Sequence, residues 1–369
     1  MDFAFSKPEK LLVDSAKEFL EKEAEGVARQ VEEAGEGYSP DLWGKMADLG
    51  WMGLMLPEEY EGVAGNFLEL ILILEKIGRA LVPGPFIPTM ICGYSVLQYG
   101  TEAQRNELLP KLAQGEIILT PAFIEPDSTK GEVKIKEQIS LKNGDYILSG
   151  TRLFVPHAHL ADWFIYKTET NTSTTLFLIN AKSKGVGYKP LKTIASDMQY
   201  EVSLDRVTVS QANILGKKEQ GEQIAREIEE WGALCQSAFI LGILEKVLEM
   251  TVKHAKGRVQ FGRPIGSFQV IQHQCADMAT EIDKVKFLVY QAAYKLSKQI
   301  SATKDIAMAK TRASDASRSV CLLGIKIHGG IGISEEHDMQ LYFRMAKAAE
   351  IAFGDGDFHR EIVAKQLGL

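Results

Sequence analysis

Apolar residues recur at helical spacing through the first third of the chain. One stripe is formed by Phe67, Leu70, Ile71, Leu74 and Ile77. Apolar positions three and four residues apart indicate a helix with one buried face. Ser39 ahead of Pro40 is typical of a helix start, and the Pro83–Pro85 run ends the stripe. We therefore predict an α-helical N-terminal domain over residues 1–118.

The pattern changes after Gly115, where short runs rich in β-branched and aromatic residues begin. These runs are Leu119–Glu125, Gln138–Leu141, Tyr146–Phe154, Trp163–Lys167, Thr175–Asn180 and Val202–Val209. Asn143-Gly144 between two of them favours a tight hairpin. Several strands in about 100 residues indicate a compact antiparallel sheet or barrel. A middle β domain is predicted over residues 119–220.

Long helical stripes return from about Gly221. The clearest stripe is formed by Ile271, Cys275, Met278, Ile282, Val285, Val289, Ala292 and Leu296. Alternating steps of four and three are typical of a helix that packs lengthwise in a bundle. Further helices are predicted over Asp305–Ile327, Asp338–Ile351 and Phe358–Leu367. The fold class is therefore multidomain α+β, with a C-terminal four-helix bundle over residues 221–369.

Charge and cysteine content narrow the possible partners and compartments. The 369 residues carry a formal net charge of −7 and contain no dense Lys/Arg block. This argues against nucleic acid or an anionic membrane as the main partner. No apolar run approaches the roughly 20 residues of a membrane span, and Met1–Ser6 lacks the pattern of an export signal. Without metal-ligand spacing, the cysteines indicate a reducing, cytoplasmic location: Cys92, Cys235, Cys275 and Cys321.

A Gly/Pro-rich link between two apolar helices carries the first candidate site. Arg258 offers a planar fork of donors that matches a diphosphate, and Phe261 and Gln269 can contact a flat ring. The plainer interpretation is an exposed Arg at a helix–loop–helix joint. The whole run from Arg258 to Met278 resembles the signature joint of the acyl-CoA dehydrogenase family. The resemblance implies that Arg258, Phe261 and Gln269 contact the ADP half of an FAD held across a subunit interface.

A second glycine-rich segment follows the next long helix. Gly329 and Gly330 would let a ligand approach the backbone closely, because neither residue has a Cβ atom. By itself the segment is a helix end followed by a turn. Ile327–Asp338 also resembles the family's second flavin-contacting segment. Lys326 departs from it, because the family usually places Gln there.

Two positions that the resemblance places at the flavin ring are altered. Ile124, ahead of Glu125, stands where the family has a hydroxyl that bonds the flavin. The following Asp127–Lys130 replaces a Gly-Ala-Gly-Ser loop. Pro156 stands where the family has Thr, and it offers neither a hydroxyl nor an N–H. Each lost hydrogen bond is worth about 1 kcal/mol.

The catalytic carboxylate of the family is also missing. The resemblance places it at either of two positions, here occupied by Phe353 and Gly232. Asp355 is the nearest carboxylate and our candidate base, although an Asp there also suits a helix N-cap. Glu230 aligns near the family's acidic contact to the substrate pantetheine. The spacing of the acidic and His residues around Asp355 does not suit a metal, and none is predicted.

The resemblance implies three functional hypotheses. The first is an FAD-dependent acyl-CoA dehydrogenase that uses Asp355 as its base and passes electrons to an external acceptor. The second is a half-site subunit, in a homo- or heterotetramer with another acyl-CoA dehydrogenase chain, which lends the ADP-binding half of the flavin site to its partner. The third is a flavoenzyme of this fold with different elimination chemistry.

Overall fold

The computed structural model describes residues 5–126, 138–142, 144–169 and 173–369. In these ranges the N-terminal part contains the helices α1 (Lys7–Glu23), α2 (Val27–Ala34), α3 (Pro40–Asp48), α4 (Phe67–Arg79), α5 (Phe86–Tyr99) and α6 (Glu102–Ala113). Helix α3 begins as predicted, because the Ser39 hydroxyl accepts a hydrogen bond from Leu42 N at 3.3 Å. Helices α1, α4 and α6 begin with reciprocal side-chain caps, which satisfy N–H groups that the first turn leaves unpaired.

The middle of the chain forms two four-stranded sheets within the described residues. One contains, in order, β1 (Leu119–Ala122), β4 (Trp163–Glu169), β5 (Thr174–Asn180) and β8 (Ile214–Leu215). The other contains β2 (Gln138–Lys142), β3 (Asp145–Pro156), β7 (Gln199–Ser210) and β6 (Val186–Leu191). Strands β2 and β3 pair as the predicted hairpin requires, although Asn143 itself lies outside the described residues. The β1–β4 pair is parallel, unlike the antiparallel pairing that the sequence predicts.

Strand β6 has no counterpart among the predicted runs. It contains Gly187, Lys189 and Pro190, which are poor strand residues. The strand lies at the edge of its sheet and pairs with β7. A lysine and a proline are tolerated at an edge and protect it from pairing with other chains. The edge position therefore explains why local propensity fails here.

Long helices make up the C-terminal part. They are α7 (Gly221–Gly257), α8 (Gln269–Ser297), α9 (Thr303–His328), α10 (Met339–Ile351) and α11 (Gly356–Gln366), with short strands β9 (Val259–Gln260) and β10 (Arg263–Pro264) between α7 and α8. The last three helices match the predicted ranges to within a turn. The stretch Lys218–Gly257 holds an 18-residue window of mean hydropathy 1.3, and 78% of that window is buried inside the protein. Such burial is typical of a core helix and not of a membrane span.

The chain forms two compact units. The first comprises the described part of Met1–Gln30 together with Asn66–Val82 and Gly232–Leu369, and the second comprises Val31–Gly65 and Pro83–Trp231. Each unit therefore combines segments that are distant in sequence. The order of helices, strands and helices agrees with the predicted fold class, while the domain boundaries at 118/119 and 220/221 stay predictions.

Helices α4 and α7 cross in the first unit with their backbones in contact. A Cβ atom on Gly242 would clash with the Glu75 carbonyl, and one on Gly78 would clash with the Phe239 carbonyl. Both glycines are required there because no side chain fits between the helices. In the second unit the two sheets share a core that contains Leu148, Phe164 and Phe177.

Candidate functional site

The link between α7 and α8 is a projecting hairpin in the first unit. Strands β9 and β10 pair antiparallel, and Phe261 and Gly262 at the tip have φ angles of 51° and 78°. Positive φ at both central residues is the geometry of a tight hairpin turn. The Phe261 side chain is 92% exposed. The ring lies edge-on to the Phe268 ring, with the two centroids 6.2 Å apart, and is otherwise open to solvent.

Arg258 and Gln269 flank this hairpin. Arg258 follows the last residue of α7, with its N–H donated to the His254 carbonyl at 2.8 Å. Gln269 is the first residue of α8. Both side chains are exposed, and within the described residues neither makes a hydrogen bond or ion pair. Their donors are therefore available to an anionic ligand.

The glycine turn after α9 lies beside the end of α7. The His254 and His328 rings stack at 4.3 Å, and Gly329 directly follows His328. Burial lowers the pKa of His328, and its Nδ1 atom lies 2.7 Å from the Gly324 carbonyl oxygen. The structure thus brings the hairpin and the glycine turn, two separate sequence motifs, to one region of the first unit.

The two glycines of this turn differ in what they require. Gly329 has φ 66° and ψ −143°, a conformation that is almost confined to glycine. A Cβ atom on Gly330 would meet no other atom within 4 Å. The packing of the chain itself therefore does not require glycine at 330, and this position has room for a ligand to approach.

The positions predicted to face the flavin ring lie in the second unit. Ile124 is 53% exposed, and its carbonyl accepts a hydrogen bond from Leu153 N at 2.8 Å. Pro156 is the last residue of β3, and its carbonyl accepts from the Thr120 hydroxyl at 2.7 Å. Neither residue has a side-chain donor. The predicted Asp127–Lys130 loop lies outside the described residues.

The two positions at which the family would carry its base are adjacent in the first unit. The Phe353 ring packs on α7 at Gly232, where a Cβ atom would lie 2.5 Å from the nearest ring carbon. Phe353 has a positive φ of 56°, which is strained for a residue with a side chain. The location that could hold a carboxylate from either position is therefore filled by an aromatic ring.

A buried lysine holds the loop that presents Phe353. Lys310 on α9 donates to the carbonyls of Ala349, Glu350 and Gly354 at 3.1, 2.6 and 2.9 Å. Burial lowers the pKa of Lys310 to about 7, against the opposing effect of the Glu350 and Asp355 charges. The His359 Nε2 atom lies 2.9 Å from the Phe353 carbonyl. These bonds offset the backbone strain at Phe353, and no local sequence motif marks Lys310 for this role.

Asp355 is occupied as the N-cap of α11. Its Oδ1 atom accepts hydrogen bonds from the backbone N–H of Phe358 at 2.9 Å and of Asp357 at 3.1 Å. These two bonds lower the pKa of Asp355, and the bond from Phe358 has the larger effect. A lowered pKa makes a carboxylate a weaker base. The geometry thus gives Asp355 the capping task that the sequence offered as its alternative.

Glu230 lies half-buried on the part of α7 that belongs to the second unit. Its neighbour Glu229 was not among the predicted site residues. Burial raises the pKa of Glu229, and the Glu222 and Glu230 charges act in the same direction. Only the folded chain creates this environment, so the sequence held no signal for it. Among the described residues no cluster of three or more acidic, His or Cys side chains could hold a metal ion.

Known proteins identify the family. Residues 6–116 match the model of the acyl-CoA dehydrogenase N-terminal domain, and residues 219–368 match that of the C-terminal domain. An acyl-CoA dehydrogenase of Bacillus subtilis (strain 168) is 32% identical over 362 residues, which cover 95% of each chain. This chain belongs to the acyl-CoA dehydrogenase family. An acryloyl-CoA reductase (NADH) of Anaerotignum propionicum is 29% identical to this chain. The match covers 100% of this chain and 96% of the reductase.

Solved structures agree with the family assignment. Butyryl-CoA dehydrogenase from Megasphaera elsdenii has a TM-score of 0.91 and 29% identity, with 100% of both chains covered. A chain of the ChsE4-ChsE5 complex from Mycobacterium tuberculosis has a TM-score of 0.90 and 26% identity, covering 100% of this chain and 99% of that one. The FAD complex of PigA has a TM-score of 0.92 and 25% identity, with 100% of both chains covered. The predicted acyl-CoA dehydrogenase fold and the predicted cofactor, FAD, are confirmed.

Proposed function

We propose that this chain takes part in the α,β-dehydrogenation of an acyl-CoA thioester as a half-site subunit. In this role it lends the ADP-binding half of an FAD site to a partner chain of the same fold. The observation that carries the proposal is the contrast within the first unit. The Arg258–Phe261 hairpin points its donors and apolar tip outward, whereas the base location is closed by Phe353 on Gly232.

The residues of the first unit fit the ADP half of FAD. Arg258 and Gln269 present free donors, and the open space at Gly330 allows an approach to the backbone. The exposed Phe261 ring offers an apolar surface beside them. When bound, FAD would accept the hydride equivalent that leaves the β carbon of the thioester. In our proposal this chain binds the ADP half of the cofactor and excludes water from it.

The positions that the family resemblance assigns to the flavin ring and to the base fit an FAD-dependent dehydrogenase less well. Ile124 and Pro156 provide no side-chain donor, and Phe353 provides no carboxylate to remove the α proton. A partner that supplies these groups would complete the site. The structural neighbour in the ChsE4-ChsE5 complex is part of an assembly of two differently named chains, and a subunit of a caffeyl-CoA reductase–Etf complex from Acetobacterium woodii is 28% identical. Both names support a multisubunit assembly, and the second supports an external electron acceptor.

The flavin content of the purified chain tests the proposal. Expressed alone, the chain should be colourless or hold far less than one FAD per chain. Co-expression with a second acyl-CoA dehydrogenase chain should give a yellow complex that contains both chains. A yellow homotetramer that dehydrogenates an acyl-CoA by itself would overturn the half-site role.

An active dehydrogenase that uses Asp355 is the second candidate, because Asp355 is the carboxylate closest in sequence to the base position. Substitution Asp355→Asn preserves the acceptor that caps α11 and removes the base. If Asp355 is the base, the variant should retain FAD and lose flavin bleaching by acyl-CoA. Unchanged bleaching in Asp355→Asn would eliminate this candidate. We expect unchanged bleaching, because the hydrogen bonds that cap α11 lower the pKa of Asp355 and make it a weaker base.

A different flavin-dependent reaction is the third candidate. The acryloyl-CoA reductase relative shows that chains of this family work in the direction of reduction as well. A complex that binds FAD but forms no enoyl-CoA from saturated acyl-CoA thioesters would support this candidate over the first two.

A further inference from the structure

An arginine outside every predicted flavin-binding segment holds the end of the glycine turn. Arg29 on α2 donates from Nη1 to the Glu335 carbonyl at 2.7 Å, and from Nη2 to the Asp338 carboxylate at 2.7 Å and the Glu336 carbonyl at 3.4 Å. All of these residues belong to the first unit. One planar guanidinium thus fixes three acceptors in a segment about 300 residues away in sequence.

The Asp338 side chain contacts Arg29 and does not cap helix α10. It occupies the N-cap position of α10, yet its side chain makes no capping bond. The Met339 N–H is instead donated to His337 Nδ1 at 3.1 Å. The Asp338 carboxylate is therefore committed to Arg29 and not to the helix.

The opposite end of the turn is fixed by histidines. The His328 ring contacts both the His254 ring, with centroids 4.3 Å apart, and the His337 ring, with centroids 5.0 Å apart. Between the anchors, the Ile331 and Ile333 side chains are 51% and 67% exposed, while the Gly332 backbone is buried against His328 and Ile325. Two backbone bonds, from Ser334 N to the Ile331 carbonyl and from His337 N to the Ser334 carbonyl, complete the segment. Gly329 also donates its N–H to the Ile325 carbonyl. The end of α9 therefore holds the start of Gly329–Ile333, and the Arg29 contacts hold the chain that leads from it into α10.

We infer that Arg29 is a positioning residue for the Gly329–Ile333 turn, through its grip on Glu335, Glu336 and Asp338, and thereby for FAD binding. The inference rests on the proposed function, because it takes the turn to contact the ADP half of the cofactor. Arg29 does not touch the ligand in this role. Its guanidinium limits the motion of the chain between the turn and α10, so a ligand that needs the turn in one place binds more tightly.

The test compares three variants of the full chain in its purified assembly. Arg29→Ala removes the grip, and Arg29→Lys keeps the charge but loses the planar fork. Arg360→Ala is the matched control, because Arg360 also bridges two carboxylates, those of Asp315 and Asp357, both at 2.6 Å, and touches no residue of the turn. Each variant is measured by amide hydrogen exchange and by equilibrium binding of FAD.

In Arg29→Ala, exchange at the amides of Ser334, His337 and Leu341 should rise at least about tenfold, and the Kd for FAD should rise about tenfold. Arg29→Lys should fall between this variant and the wild type, and Arg360→Ala should match the wild type in both readouts. Unchanged exchange in the turn would overturn the inference. Faster exchange with an unchanged FAD Kd would overturn it as well, because the turn would then not control binding.

The two readouts separate this inference from the proposed function. Amide exchange reports the hold of Arg29 on the turn whether or not FAD is bound. If no assembly of the wild-type chain binds FAD, the proposed function fails and the cofactor role of Arg29 fails with it. If wild-type FAD binding is normal and Arg29→Ala binds equally well, the inference about Arg29 alone is wrong.

Discussion

Two phenylalanines of the first unit have nearly the same strained backbone and opposite surroundings. Phe261 has φ 51° and Phe353 has φ 56°, both in the left-handed region that costs a residue with a side chain about 1–2 kcal/mol. The Phe353 ring packs on Gly232 of its own chain, whereas the Phe261 ring is 92% exposed. The loop around Phe353 is held by hydrogen bonds of its own chain, whereas Phe261 takes its positive φ from a hairpin turn and its ring meets the Phe268 ring edge-on at 6.2 Å. The comparison separates a closed site, where Phe353 packs on Gly232, from an open site, the hairpin that carries Arg258 and Phe261.

The largest expected effect concerns the open site. Arg258→Ala should raise the Kd for FAD in the assembled protein by roughly ten- to hundredfold, because charge-assisted hydrogen bonds contribute about 1.5–3 kcal/mol. FAD fluorescence on release would measure this. Arg263→Ala is the control on the same hairpin, since the Arg263 guanidinium lies over the Phe268 ring at 4.2 Å. Equal losses in both variants would mean that only the net charge of the hairpin matters.

The next prediction probes the closed site. Gly232→Ala should lower the free energy of unfolding by about 1–2 kcal/mol, because the new methyl group overlaps the Phe353 ring. In a Phe353→Ala background the same change should raise it by about 0.5–1 kcal/mol, since alanine is the better helix former. Denaturant unfolding of the four variants gives the coupling energy. Additive effects would show that the ring does not fill this location in solution.

A smaller effect is expected at the cap beside the closed site. Asp355→Ala should lower the free energy of unfolding by about 1 kcal/mol, the usual cost of losing an N-cap side chain. Asp355→Asn should cost less, because the amide oxygen still accepts from the α11 backbone. A loss in Asp355→Asn as large as in Asp355→Ala would show that the negative charge, and not the acceptor, stabilises the helix end.

The smallest effect separates folding from assembly at the hairpin tip. Phe261→Ser should change the thermal unfolding of the isolated chain by no more than about 0.5 kcal/mol in free energy, because the exposed ring has few contacts to lose. The same substitution should weaken the FAD-bound assembly, as measured by sedimentation. Substantial destabilisation of the isolated chain would indicate that Phe261 packs within its own subunit.

The sequence by itself determined the order of elements, because helix periods, caps and turn residues act over a few neighbouring positions. The caps at Ser6 and Ser39 and the C-terminal helices follow from such local rules. The motifs around Arg258 and Gly329 also identified the family and its cofactor. The sequence did not predict strand β6, because its lysine and proline are acceptable only at the edge of a sheet.

Tertiary structure alone decided what the candidate residues do. Gly232 and Phe353 are far apart in sequence, and only folding packs one on the other. The same holds for Lys310 beneath the Phe353 loop and for Arg29 on the glycine turn. In the sequence Asp355 suited both a catalytic base and a helix N-cap. Its hydrogen bonds to the first turn of α11 show that it caps this helix. Local patterns fix the backbone, but burial and long-range contacts set the chemistry of each side chain.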